Sequence, residues 1–247
     1  MDDKDVLGNA LRVNINVTPE TQTVNVLDKG YVRLIDYMGS DLSVVNAARA
    51  SFAKESLMFN QADARLLHFL AKEGHLSPFR HAFVTLEIKA PLMVARQHWK
   101  YVVGSDHTMD GWNEASRRYV TADEEFYVIE AGQWRAMPEN KKQGSGDPIE
   151  KFTGAFYSQA FEKWSKEGLS LYHSAMRDGI CAEQARIFLP AYSLYINYRW
   201  STSLQSVIHF LNQRLAEDAQ KEIQDYAKAV HILTQPLFPV SMNAFGL

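Results

Sequence analysis

Between residues 192 and 230 the hydrophobic period of this chain changes once, and that switch limits its fold more than any other feature. Tyr192, Leu194, Ile196, Tyr198 and Trp200 alternate with smaller or polar residues, the pattern of a strand with one buried face. Leu204, Val207, Leu211, Leu215, Ala219, Ile223, Ala227 and Val230 then fall at helical spacing and predict one long amphipathic helix. A half-buried strand followed directly by such a helix points to a mixed α/β (α+β) fold, a central sheet with long helices.

The upstream segments agree. Val24 to Leu27 and Tyr31 to Tyr37 flank Asp28-Lys29-Gly30, a turn chemistry that predicts a hairpin. Ser40-Asp41 caps a helix running through Ser51, and a second helix is expected from Gln61 to Glu73, with Gly74 as its stop. His75 to His81 reads as a loop, and Val84, Leu86 and Ile88 alternate as a strand. Pro91 then suits the first turn of a helix carrying Arg96 and Gln97. Glu125 to Ile129 reads as a strand, Gly132 to Pro148 as an exposed polar insertion, Ile149 to Asp178 as a long helix, and Glu183 to Leu189 as a short one ended by Pro190. Residues 1–22 lack periodicity and read as an N-terminal extension to one domain spanning 23–247.

Composition narrows the function classes. A net charge of -3 argues against a general nucleic-acid binder, which carries a basic excess. No apolar run approaches the roughly 20 residues that cross a bilayer, and the acidic N-terminus lacks a signal pattern, so no membrane association and a cytoplasmic location are expected. The lone Cys181 excludes an internal disulfide framework; at the entry to a helix it reads as a small buried thiol. The histidines show no HxxxH or HExxH pairing, so no metal is expected, and no GxGxxG or P-loop string is present.

The densest polar segment is Trp112-Asn113-Glu114-Ala115-Ser116-Arg117-Arg118-Tyr119. A hydroxyl, guanidinium groups and backbone amides can converge there on one anion, such as a phosphate. Glu114 can orient a ligand hydroxyl or pair with Arg118 four residues on, and Arg214 has Asp218 at the same spacing. Trp99, Tyr101, Trp112 and Tyr119 can stack on a ring or fill a core.

With Arg96-Gln97-His98-Trp99-Lys100-Tyr101 upstream, this segment resembles the RHRxxSxNExSxRY signature of the flavin-dependent thymidylate synthases. The resemblance covers about residues 24–235, through the ordered blocks LDKGYVRLIDYMGSDLSVVNAARASF, GHLSPFRH, KAPLMVARQ, NEASRRY, EQARIFLP and FLNQRLAEDAQKEIQDYA. It implies a homotetramer with shared active sites that binds FAD and methylates dUMP to dTMP, with NADPH and methylenetetrahydrofolate as co-substrates.

By position the resemblance implies dUMP contacts from Gln97, Glu114, Ser116, Arg117, Arg118, Arg186 and Arg214. Ser116, Arg118 and Arg186 fall near its phosphate, and Arg214 corresponds to the arginine thought to stabilise the pyrimidine ionised at N3. Flavin-side positions match Ser51, His75, Ser77, Lys100, Tyr101, Val102, Val103, Asn113, Glu114, Ser203 and His209. The signature is altered as well as lengthened. Lys100, Tyr101 and Val102 stand where the family has RHR, Ser105 to Gly111 enlarge the loop, Arg80 takes an acidic position, and Ser203 and His209 fall where asparagines are common. Two other outcomes fit such a chain: C5 methylation or hydroxymethylation of another pyrimidine nucleotide, and a degenerate, non-catalytic dUMP-binding homologue.

Overall fold

A computed structural model describes residues 22–104, 110–115, 124–139 and 144–247. Residues 1–21 of the expected extension and Ser116, Arg117, Arg118 and Tyr119 lie outside these described residues.

Five strands form one antiparallel sheet: β1 (Thr23–Val26), β2 (Gly30–Met38), β3 (Phe83–Pro91), β4 (Gly111–Glu114) and β5 (Tyr195–Ser203), ordered β1-β2-β3-β5-β4. Alternation along the central strands gives the sheet two unlike faces. Val84, Leu86, Ile88, Tyr198 and Trp200 point into the core, whereas Arg33, Glu87 and Arg199 lie side by side on the other face. There Glu87 accepts from Arg33 at 2.6 Å and from Arg199 at 3.4 Å. The expected β1–β2 hairpin is present, and its left-handed residue is Leu27, at φ 58°. Gly30 is required by a close approach: a Cβ there would stand 2.7 Å from the Lys89 carbonyl and overlap the Tyr226 hydroxyl.

The apolar face is covered by α3 (Leu92–Gly104), counting α1 (Asp41–Arg49) and α2 (Gln61–Lys72) before it, and by two later helices, Leu204–Arg214 and Lys221–Thr234. Between them run the long α4 (Lys151–Arg177) and the single turn α5 (Ala182–Ala185), so the later pair are α6 and α7; α8 (Pro239–Ala244) ends the chain. A second, smaller cluster packs Tyr172 and Ala175 of α4 against Phe126, Ala185, Leu189 and Leu194.

Several sequence expectations are corrected. The stripe from Leu204 to Val230 is two helices; the intervening turn is held by Gln224, whose side-chain amide donates to the Ala216 and Ala219 carbonyls at 3.0 and 2.9 Å. The break leaves Arg214 at the end of α6, and the stripe keeps its phase because Ala219 and Ile223 remain buried. Glu125 to Ile129 forms one bridge, Phe126 to Leu194, in place of a strand. Tyr192 lies in a 3-10 turn before β5 and is exposed. Pro91 ends β3 without entering the helix, and His75 to His81 contains a 3-10 turn, Ser77–His81. Cys181 is the N-cap residue of α5, and its thiol is exposed where a buried one was expected. The 132–148 segment is anchored as well as polar: Trp134 donates through Nε1 to Ser158 Oγ at 2.9 Å, and Arg135 bridges Pro148.

Candidate active site

Helix α3 divides its residues between core and surface by spacing. Val94, Ala95, His98 and Tyr101 occupy i, i+1, i+4 and i+7, one side of a helix, and turn inward. His98 is 2% exposed and sits in an aromatic cage, its ring centroid 4.4 Å from both Trp200 and Phe210. Its Nδ1 shares a hydrogen bond with the Tyr198 hydroxyl at 3.0 Å, and its Nε2 is buried without a partner. Burial, and secondly the charge of Arg214, push the imidazole down to about 3, so it is neutral near pH 7. Sequence reasoning gave His98 no role; its place on the apolar face with Val94 and Ala95 was the available signal.

The other side of α3 opens on a cleft of about 430 Å³ against the edge strand β4, lined by Arg96, Trp99, Lys100, Trp112 and Glu114. Two cations and one carboxylate give these walls a positive balance, suited to an anionic ligand. Glu114 is exposed on the rim, yet the protein around it desolvates its carboxyl enough to raise it above the ordinary value. Trp112 secures β4 by stacking on Tyr198, centroid to centroid 4.0 Å at 17°, while Trp99 stays 45% exposed. Trp112 therefore does core work, with the next two residues, Asn113 and Glu114, both exposed.

The other positions divide clearly. Gln97 donates its amide to Gln220, the N-cap residue of α7, and does not line the cleft. Arg186 is exposed beside α5 and donates to the Glu183 carbonyl at 3.1 Å, also away from the cleft. Arg214 lies over the ring of Tyr101, its Cζ 3.8 Å from the centroid. Among the described residues no carboxylate is within ion-pair distance of it, so the expected pair with Asp218 is replaced by attraction at longer range.

Of the positions that the resemblance matched to the flavin, Ser51, His75 and Ser77 are exposed, and His75 meets Phe69 edge to face at 6.0 Å. His209 is half-buried and lines a 210 Å³ hollow with Leu76, Gln205, Ile208 and Asn212; burial lowers its imidazole below the ordinary value. Arg80 donates to Gln205 at 2.8 Å on the margin of that hollow. Val102 and Val103 belong to α3. Ser203, also matched to the flavin, is fully buried as the N-cap of α6, its Oγ accepting from Ser206 N at 3.3 Å.

Residues 33–240 match the family described as thymidylate synthase complementing protein. The flavin-dependent thymidylate synthase of Thermotoga neapolitana is 37% identical over 225 residues, 90% of this chain and 93% of the relative. That of Thermus thermophilus is 35% identical over 223 residues, 90% and 78% of the two chains. Among solved structures, a UMP/dUMP methylase, PolB from Streptomyces cacaoi, bound with 5-Br dUMP, superposes with a TM-score of 0.77 at 24% identity, covering 90% of this chain and 97% of the other, which is a likeness of fold. Sequence blocks in one order, a family match over most of the chain and the shared sheet-and-helix architecture agree: the chain belongs to the flavin-dependent thymidylate synthase family.

Proposed function

We propose that this chain reductively methylates dUMP to dTMP, with methylenetetrahydrofolate as the carbon donor and FAD, reduced by NADPH, as the hydride source. The observation that carries the reading is Arg214, a half-buried guanidinium that no described carboxylate neutralises. Such a cation is suited to stabilising negative charge that develops on a pyrimidine ring. The positive cleft of Arg96 and Lys100 supports the same reading, since it adjoins the NEASRRY segment from which Ser116, Arg117 and Arg118 would hold the phosphate.

The flavin is tested by the donor set. Ser51, His75 and Ser77 offer hydroxyls and an imidazole at the surface, and the His209 hollow adds an apolar wall with two amide side chains, a mixture that fits a ring and its phosphates. When bound, the flavin supplies the hydride that turns the transferred carbon into a methyl group. The chain's own residues act on the nucleotide: Arg214 draws electron density toward N3 and makes C5 the better nucleophile, and Glu114, on the rim of the cleft, orients the ring. Residues from more than one copy complete each site in this reading, since Arg186 stands away from the cleft of its own chain.

Purified protein should show a flavin absorbance spectrum and form dTMP from dUMP, NADPH and methylenetetrahydrofolate. Product mass spectrometry across dUMP, UMP and dCMP separates this from modification of another pyrimidine nucleotide. A colourless protein that binds dUMP and makes no product would identify a degenerate homologue and overturn the proposal.

A further inference from the structure

We propose that Tyr101 is a positioning residue for Arg214: its ring face holds the guanidinium in place without neutralising it. The inference rests on the reading of Arg214 given above and assigns Tyr101 a role beside the nucleotide, whereas its place in the signature suggested the flavin.

The two residues come from separate elements that pack together. Tyr101 lies on the inward side of α3, one turn beyond His98, and Arg214 is the last residue of α6, where the helix breaks. The Cζ of Arg214 is 3.8 Å from the Tyr101 centroid, well inside the roughly 6 Å range of a cation–π contact. Its Nε is buried with no hydrogen-bond partner among the described residues; burial draws its affinity for the proton down, opposed by Tyr101, whose phenol oxygen also lies within reach of the guanidinium, and by the more distant Asp218. The cation is therefore held in a desolvated place by a ring.

That choice of partner has a chemical consequence. A carboxylate would occupy the N–H fork of the guanidinium and cancel its charge. The face of a ring attracts the same cation and accepts little from its N–H groups, so those not taken by the phenol oxygen stay available to the edge of a ligand. A histidine at position 101, as in the family signature, would set a ring with a basic nitrogen against Arg214, and a phenol ring has none. Of the imidazoles nearby, His98 is buried and neutral, and His209, which meets the Tyr101 ring at 5.9 Å, has its own affinity for the proton lowered by burial.

The test uses the flavin-loaded protein with Tyr101 replaced by phenylalanine and then by phenylalanines carrying one, two and three ring fluorines. Fluorination drains the ring face and leaves the shape nearly unchanged. Tyr101→Phe removes the hydroxyl and sets the reference, and the fluorinated series should lower kcat stepwise to about tenfold below that reference, with the KM for dUMP and the flavin spectrum constant along the series. Calorimetry supplies a readout besides turnover: 5-fluoro-dUMP, whose ring ionises more readily at N3, should lose its affinity advantage over dUMP along the same series. In an Arg214→Gln background the series should be flat. A flat series in the wild-type background, or an equal decline in the Arg214→Gln background, overturns the inference. A wild-type protein inactive on dUMP would instead be a failure of the reaction reading.

Discussion

His98 and Arg214 illustrate how much one residue's surroundings decide. His98 is held neutral with its imidazole near 3, against an ordinary value of 6.5. The unfolded chain therefore binds a proton that the native state refuses, and stability is lost as the pH falls from 6.5 toward 3. Each pH unit in that window costs about 1.4 kcal/mol from this group, or about 2 kcal/mol between pH 7 and pH 5. Denaturant unfolding at the two pH values should show that difference in the wild type and a shallower one in His98→Gln; equal slopes would remove the assignment. For catalysis, Arg214→Ala should lower kcat by about a hundredfold or more, the scale of removing a group that stabilises charge in a transition state. Arg118→Ala should mainly weaken dUMP binding, visible as a raised KM with kcat largely kept. Equal damage from both substitutions would mean general unfolding.

Among the elements, α2 begins on a buried network whose parts depend on one another. Asn60 caps it, its side chain accepting from Ala62 N at 2.8 Å, and Asp63, with no exposed surface, accepts from Ser56 Oγ at 3.0 Å and pairs with Arg49 of α1 at 2.5 Å. Removing one partner of a buried pair leaves an uncompensated charge. Arg49→Met should therefore destabilise the protein by about 3 kcal/mol in urea unfolding, and adding Asp63→Asn should recover part of the loss. No recovery would show that the arginine acts through packing alone. Helix α4 poses the opposite problem, because its pattern is inverted. The inward side carries Gly154, Ser165, Gly168 and Ala175 with Tyr172, while Phe152, Phe156, Trp164 and Leu171 crowd an exposed arc. Small residues let α4 sit close to its neighbours: a Cβ at Gly168 would stand 2.5 Å from the Phe188 carbonyl.

For the whole molecule, that outward arc and the exposed Ile187 and Tyr192 leave several large apolar side chains uncovered among the described residues, the kind of surface that marks contact with another protein when it is continuous. Together with an Arg186 that does not reach its own cleft, it supports the proposed self-association with shared sites. Phe156→Glu with Trp164→Glu should shift the protein to smaller species in light scattering and lower turnover with it. Unchanged mass would place the subunit contact elsewhere.

The sequence by itself determined the hairpin, the alternation of β3 and β5, the helices flanking them and the family, because period and motif order are local properties that survive reading in one dimension. It also marked the NEASRRY segment as a candidate anion site by residue type, and Arg214 only through the family resemblance. Only tertiary structure decided that Ser203 is a buried cap, that Trp112 is core, that the last long stripe breaks after Arg214 and that Tyr101 lies against that guanidinium. The Trp112 and Tyr101 contacts join residues more than 80 apart in sequence, and the cap and the break depend on burial in the folded chain, where distance and desolvation set what each group can do.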